Sequence, residues 1–405
     1  MNVCLACGTP IEAFMSFGRQ PISNCYVPAE GMEDEYFFEM SVGVCPDCSL
    51  FQLMTPPDPG IIYHENYAFF SQTSKRMQQH FEGFAQDVMG RLRKIKDPFV
   101  VEIGSNDGIL LRNFSQADIR HLGIEPSQNV AEIATDAGVE TVCLFFGDET
   151  VDDLIEEYGK ADVILSANVI SHIPDLTGLA RGLRKMLNPK GLLIFEDPYL
   201  GSVLENTSYD QIYNEHVFIF SVTSVRNVFL RHDLELLDVQ PQWVHGGSMR
   251  YVLGIQGMHR VSKTVTDQLA LENERGLDRL ETYERFRVSC ETRRTELVDL
   301  LKKLKSEGKS VVGYAATAKS STILNYCGIG PHLVDYICDT TPVKQGKFSP
   351  GMHIPIKPHQ AFLDAYPDCA ILFAWNHRDE ILEKEQAFKE QGGKWVSFSP
   401  EVRIE

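Results

Sequence analysis

The chain has 405 residues, 43% of them hydrophobic and 10% aromatic, and a formal net charge of -18. That length exceeds one ordinary core and calls for two or three domains, and the composition excludes collagen-like, disordered and low-complexity classes. The acidic balance excludes a general electrostatic grip on nucleic acid, no apolar run is long enough to span a membrane, and the first residues carry no signal-peptide pattern, so a cytoplasmic protein is expected.

Ten cysteines in a large intracellular chain suit metal better than disulfides. Cys4 and Cys7 form one C-x-x-C, and Cys45 and Cys48 form a second. Each knuckle can place two thiolates on adjacent corners of a tetrahedron, and four thiolates leave no position for substrate. The expectation is a structural zinc that stabilises a small unit with little core of its own, with Cys25 as a spare thiol. The stretch YHENYAFFSQTS follows, placing Tyr67 just beyond the metal unit.

From Ser74 to Ile95 the apolar residues Met77, Phe81, Phe84, Val88, Leu92 and Ile95 recur every three or four positions, which predicts an amphipathic helix. FVVEIGSNDGILL then reads as a buried strand, a turn from Gly104 to Gly108, and a helix start whose free amides can face a ligand. The turn lacks the dinucleotide fingerprint G-x-G-x-x-G, and Glu102 precedes its glycines. It resembles the first motif of class I S-adenosylmethionine-dependent methyltransferases, whose cofactor has no phosphate for an acid to repel. Glu102, Gly104, Asn106, Asp107 and Gly108 are the cofactor-facing candidates.

HLGIEP ends in Glu125, about 20 residues past the turn, where an acid can accept hydrogen bonds from both ribose hydroxyls. In GDET, Asp148 is the candidate partner of an adenine amino group. ADVILSANVISHI predicts a further strand ending at Asn168 to His172, and GLLIFEDPYL another, with Glu196 read as a structural acid or loop cap. Strands alternating with helices at this spacing predict a doubly wound sheet with its ligands beyond the carboxyl ends of the strands.

YDQIYNEHVFIFS, from Tyr209 to Ser221, sets Tyr213, Glu215 and His216 before an aromatic run that reads as buried. A histidine beside an apolar strand is by default a core residue, but this block follows the strand carrying Glu196 and so falls on the catalytic face of such a fold. The cysteine unit, VEIGSNDG, NVISHIPD, YNEH, HGGSMRYVL and GYAATAKSSTILNYCGIG occur in the same order as in the sugar C-methyltransferase family, which the whole chain resembles. That family installs a methyl branch on nucleotide-linked keto-deoxysugars.

The resemblance implies a three-part enzyme with the nucleotide sugar between the central and carboxyl-terminal domains, C3 beside a C4 ketone as the methylated carbon, and Tyr67 and His172 as further active-site positions. Deprotonation next to a ketone needs a base and a donor to the enolate oxygen. His216 is the candidate base and Tyr213 the donor, while Glu215 is a candidate for a sugar hydroxyl or amine. Methylation of oxygen or nitrogen, and a catalytically inactive zinc-ribbon binding protein, are the competing readings.

Val261 to Glu307 is charged with spaced leucines and reads as solvated helices linking two sheets. SVVGYAATAKSSTILNYCG and LVDYICD repeat the strand, turn and helix of the central domain, predicting a second Rossmann-like sheet, with Ala315 where the family usually has glycine. No nicotinamide cofactor is expected there. Lys319, with Ser320 beside it, and Lys344 are candidates for neutralising a diphosphate, with Lys347 a weaker one. The expected organisation is α/β: a zinc-binding module at 1–66, an S-adenosylmethionine-binding domain at 67–258, and a Rossmann-like domain at 259–405 that helps form the sugar-nucleotide site. A monomer is expected.

Overall fold

The computed structural model describes residues 2–62 and 75–405. The amino-terminal unit is built on β1 (Ala13–Pro21), β2 (Phe37–Val44) and β3 (Phe51–Leu53), paired antiparallel in that order. The two cysteine knuckles flank this hairpin at one end, one before β1 and the other between β2 and β3.

The central unit begins with the expected helix, here Lys75–Leu92, which buries Phe81, Phe84, Val88 and Leu92. Ile95 lies past its end and is 39% exposed, so the apolar period runs one turn beyond the helix itself. The sheet contains β4 (Phe99–Ile103), β5 (Arg120–Ile124), β6 (Thr141–Val142), β7 (Ala161–Ala167) and β8 (Leu187–Pro198). All five residues of β4 are buried, as a parallel strand covered on both faces requires. After β9 (Phe218–Ile219), β10 (Leu234–Gln242) and β11 (Ser248–Ile255) complete the seven strands in the order β10-β11-β8-β7-β4-β5-β6. β11 runs antiparallel to both of its neighbours, while β4 to β8 are mutually parallel.

The third sheet has the order β14-β13-β12-β15-β16-β17, with β12 (Val311–Tyr314), β13 (Ile337–Asp339), β14 (Ile356–Pro358), β15 (Cys369–Leu372), β16 (Lys394–Ser397) and β17 (Arg403–Ile404). All its pairings are parallel except that of β17 with β16. The second sheet expected from the carboxyl-terminal repeat is therefore present.

Two features depart from the sequence reading. β9 pairs with β3, so the end of the YNEH block completes the amino-terminal sheet as its fourth strand. The helix Leu280–Ser306 is not a solvated connector: Tyr283, Phe286, Cys290, Leu297, Leu301 and Leu304 are buried in one core with Phe14, Phe17 and Phe51 of the amino-terminal sheet. That apolar seam, hidden among many charges, joins the first and third units. The cysteine end of the first unit packs instead with the central core, through Cys45, Leu50 and Met54.

Candidate active site

Residues from all three units line one cavity of about 360 Å³. It opens at the carboxyl ends of β4, β5 and β7, where a doubly wound sheet receives its ligands. The turn after β4 holds three left-handed residues, Gly104 (φ 68°), Asn106 (φ 47°) and Gly108 (φ 76°). A Cβ at Gly104 would lie 2.4 Å from a methyl of Val169, so only glycine fits there.

This end of the cavity is acidic. Glu125 accepts the Ser127 N–H on one carboxylate oxygen at 2.9 Å and the Asn106 N–H on the other at 3.0 Å, which leaves each oxygen a lone pair. Burial raises its pKa against the pull of those amides. Glu102 is buried beside it and raised well above the carboxylate range by desolvation and then by Asp107 and Glu125, and its Oε2 has no partner among the described residues. Asn168 (φ 57°) lies at the end of β7, its N–H on the Glu196 carbonyl at 2.7 Å and its Oδ1 without a partner among the described residues. Carboxylates held this close suit a ligand with hydroxyl donors and positive charge. S-adenosylmethionine fits that donor set, and Glu125 and the turn after β4 are the groups that would hold it.

Deeper in, the YNEH block forms a turn, with the His216 N–H on the Tyr213 carbonyl. His216 Nδ1 is 2.6 Å from the Gln211 carbonyl, and a carbonyl only accepts, so Nδ1 carries the proton. Nε2 is then the acceptor, and the Tyr213 hydroxyl lies 3.1 Å from it. Burial, then the nearby His172, holds His216 well below the imidazole range, so it is neutral at neutral pH. His172 packs 5.3 Å away, ring centre to ring centre, and burial pulls its pKa down to about 3. Burial keeps the Tyr213 hydroxyl protonated. Glu215 accepts the Asn24 carboxamide N–H at 2.5 Å.

The opposite wall comes from the third unit. Thr317 and Ala318 start the helix Ala318–Cys327, and Lys319 is buried within its first turn. The Lys319 ammonium has no hydrogen-bond partner among the described residues, and desolvation pulls its pKa down to about 8 despite the attraction of Asp210. Lys344 donates to the Ala316 carbonyl at 2.8 Å and lies 3.8 Å from Asp339.

Away from the cavity, the sulfurs of Cys4, Cys7, Cys45 and Cys48 all lie within 4.8 Å of one another. Cys4 is 3.6 Å from Cys48 and Cys7 is 3.5 Å from Cys45, close to the roughly 3.8 Å sulfur spacing that Zn–S bonds of about 2.3 Å give in a tetrahedron. Cys25 is exposed and stands outside this set. The four thiols fit a closed zinc site.

Three family models match in series: a zinc binding domain at residues 4–63, a methyltransferase domain at 76–239 and a C-methyltransferase C-terminal domain at 243–400. The C-methyltransferase NovU of Streptomyces niveus is 33% identical over 392 residues, covering 96% of this chain and 93% of its own. The chain belongs to the C-methyltransferase family. It is an S-adenosylmethionine-dependent enzyme whose methyl acceptor is carbon, which removes the readings of a heteroatom acceptor and of an inactive binding protein. A ubiquinone biosynthesis O-methyltransferase of Azorhizobium caulinodans is 26% identical over 121 residues, 28% of this chain and 48% of that one. A solved S-adenosylmethionine-dependent methyltransferase of Clostridium acetobutylicum overlays 44% of this chain and 92% of its own at 14% identity, with a TM-score of 0.36.

Within this C-methyltransferase, the cavity brings together Glu102, Gly104, Asn106, Glu125, Asn168, His172, Tyr213, Glu215, His216, Lys319 and Lys344. Asp107 and Gly108 shape the turn without reaching the cavity wall; Asp107 is buried, and a Cβ at Gly108 would press on Val139 at 2.9 Å. Asp148 does not face the cavity: it pairs at the surface with Arg181 and Lys185, each at 3.0 Å, so its charge is already met. Ser320 is also turned away, its N–H capped by Thr317 Oγ1 and its hydroxyl on the Thr317 carbonyl. Lys347 does not line the cavity either. Tyr67 lies outside the described residues.

Glu196 is the structural acid expected, 2.6 Å from His80 and 2.5 Å from Arg250. Asn24, Phe145, Thr317, His245 and His377 line the cavity without having been singled out in the sequence. Two of them lay in motifs noted above, Thr317 in GYAATAKSS and His245 in HGGS; His245 is left-handed at φ 55°, and its Nε2 has no partner among the described residues. Ala315 is also left-handed, at φ 70°, which explains why glycine suits that position.

Proposed function

We propose that the methyl acceptor is a nucleotide-linked 4-keto-6-deoxysugar, methylated at C3 after deprotonation to an enolate. The observation that supports this most is the continuity of the cavity, which runs from the carboxylates Glu102 and Glu125 past Tyr213 and His216 to the buried ammonium of Lys319. Each end suits a different charge, and a proton-handling pair stands between them. When bound at the acidic end, S-adenosylmethionine supplies the electrophilic methyl group.

His216 Nε2 takes the C3 proton, being unprotonated at neutral pH with its tautomer fixed by Gln211. The Tyr213 hydroxyl moves from that nitrogen onto the acceptor carbonyl and steadies the developing oxyanion, which exposes the base. Glu215 receives a sugar hydroxyl, and Lys319 and Lys344 face the diphosphate. Holding the acceptor carbon in line is the chain's main contribution to rate.

The test is incubation with methyl-labelled S-adenosylmethionine and a panel of nucleotide-linked 4-keto-6-deoxysugars, with the label located by NMR. Label on C3 is expected. Label on another carbon, or none on any panel member, would overturn the proposed acceptor.

A further inference from the structure

Asn24 belongs to the metal-stabilised unit yet lies far along the chain from the metal. It sits on the segment between β1 and β2, whereas Cys4 and Cys7 precede β1, and Cys45 and Cys48 follow β2. A nine-residue strand spans roughly 30 Å, so the hairpin carries Asn24 from the cysteine end to the cavity.

At the cavity the Asn24 carboxamide donates to Glu215 Oε1 at 2.5 Å, and Ser23 Oγ lies 3.5 Å from the same oxygen. The segment itself is anchored by other bonds. The Ser23 N–H donates to Asn214 Oδ1 at 2.9 Å, Ser321 Oγ donates to the Ser23 carbonyl at 3.0 Å, and the Tyr26 hydroxyl donates to the Ala316 carbonyl at 2.6 Å. The Asn24 amide is thus not needed to hold its own backbone, and its donor is directed at a carboxylate on the cavity wall.

We propose that Asn24 is a positioning residue for the methyl acceptor: it orients the Glu215 carboxylate and so makes the metal-stabilised unit part of the catalytic apparatus. This rests on the reading of Glu215 as a contact of a nucleotide-linked keto sugar. A carboxylate with one oxygen fixed presents a defined geometry to a substrate hydroxyl, and loosening it misplaces the acceptor carbon.

The test compares Asn24→Ala, Asn24→Asp, Glu215→Gln and the double variant Asn24→Ala/Glu215→Gln with the wild-type chain, all as metal-loaded full-length protein. Expected are a roughly tenfold loss of kcat/KM for the acceptor in Asn24→Ala and a larger loss in the isosteric Asn24→Asp, which sets a second carboxylate against Glu215. Zinc content and S-adenosylmethionine affinity should not move. In the Glu215→Gln background, Asn24→Ala should cost little more, because both changes disable one contact. If the wild-type chain transfers methyl to no panel sugar, the acceptor reading and this proposal fall together. If the wild type is active and Asn24→Ala matches it, or if the two losses simply multiply, the proposal alone is overturned.

Discussion

The Tyr213 hydroxyl lies 3.1 Å from His216 Nε2, while Nδ1 of the same ring lies 2.6 Å from the Gln211 carbonyl. One nitrogen is committed to the backbone, and the other is shared with a hydroxyl that can leave it. Replacing His216 with Asn should lower kcat by roughly 10²- to 10⁴-fold with little change in S-adenosylmethionine affinity. Tyr213→Phe should also lower kcat while leaving the base in place. The check is exchange of the acceptor's C3 proton with solvent in the absence of cofactor, expected to persist in Tyr213→Phe and vanish in His216→Asn. Exchange in His216→Asn would assign the base elsewhere.

Glu125 organises the cofactor end through the Ser127 and Asn106 amides. Glu125→Gln keeps the size of the side chain but sets an NH2 donor against one of these two amides and leaves one acceptor oxygen where the carboxylate offers two, so the cofactor dissociation constant should rise about tenfold or more, in line with a lost hydrogen bond to a charged group. Titration calorimetry of the cofactor measures this directly, and acceptor KM at saturating cofactor should stay near the wild-type value. An unchanged dissociation constant would remove Glu125 as a ribose ligand.

A zinc held by the four clustered thiols would tie the stability of the amino-terminal unit to metal. Because the cysteine end packs with the central core and the hairpin with the third unit, loss of zinc should disturb more than its own sheet. Cys4→Ser should lower zinc content by elemental analysis and lower Tm by several degrees. A metal-free protein with the wild-type Tm would contradict a structural zinc.

Local spacing made the cysteine pairs, the turn after β4 and the third sheet legible in the sequence, because a few adjacent residues specify each of them. Long-range choices were not legible. Asp148 is drawn to the surface by Arg181 and Lys185 on the helix Leu176–Met186, and nothing near GDET in the chain announces them. The burial of Leu280–Ser306 depends on the amino-terminal sheet, more than 200 residues earlier, and its apolar seam is diluted by charges that cover the remaining faces. Asn24 belongs to no motif, and only the hairpin's reach carries it to Glu215.

Lys319 ties function to a cost in stability. Its ammonium is buried, without a hydrogen-bond partner among the described residues, and its pKa is pulled down to about 8 by desolvation, with Asp210 opposing and His216, His245 and His377 nearby. A lysine depressed from 10.5 is charged in the folded chain below about 8, so its penalty on the fold is complete at pH 7 and fades as pH rises from about 8 toward 10.5. Lys319→Met should therefore raise Tm at pH 7, with a smaller gain at pH 9. The same charge is the proposed seat of the diphosphate, so wild-type kcat/KM for the acceptor should fall as pH rises through about 8, following the free enzyme. In Lys319→Met that parameter should be lower at pH 7 and lack this fall. A variant that loses Tm at pH 7 and keeps the wild-type profile would show that Lys319 serves packing and takes no part in binding the anion.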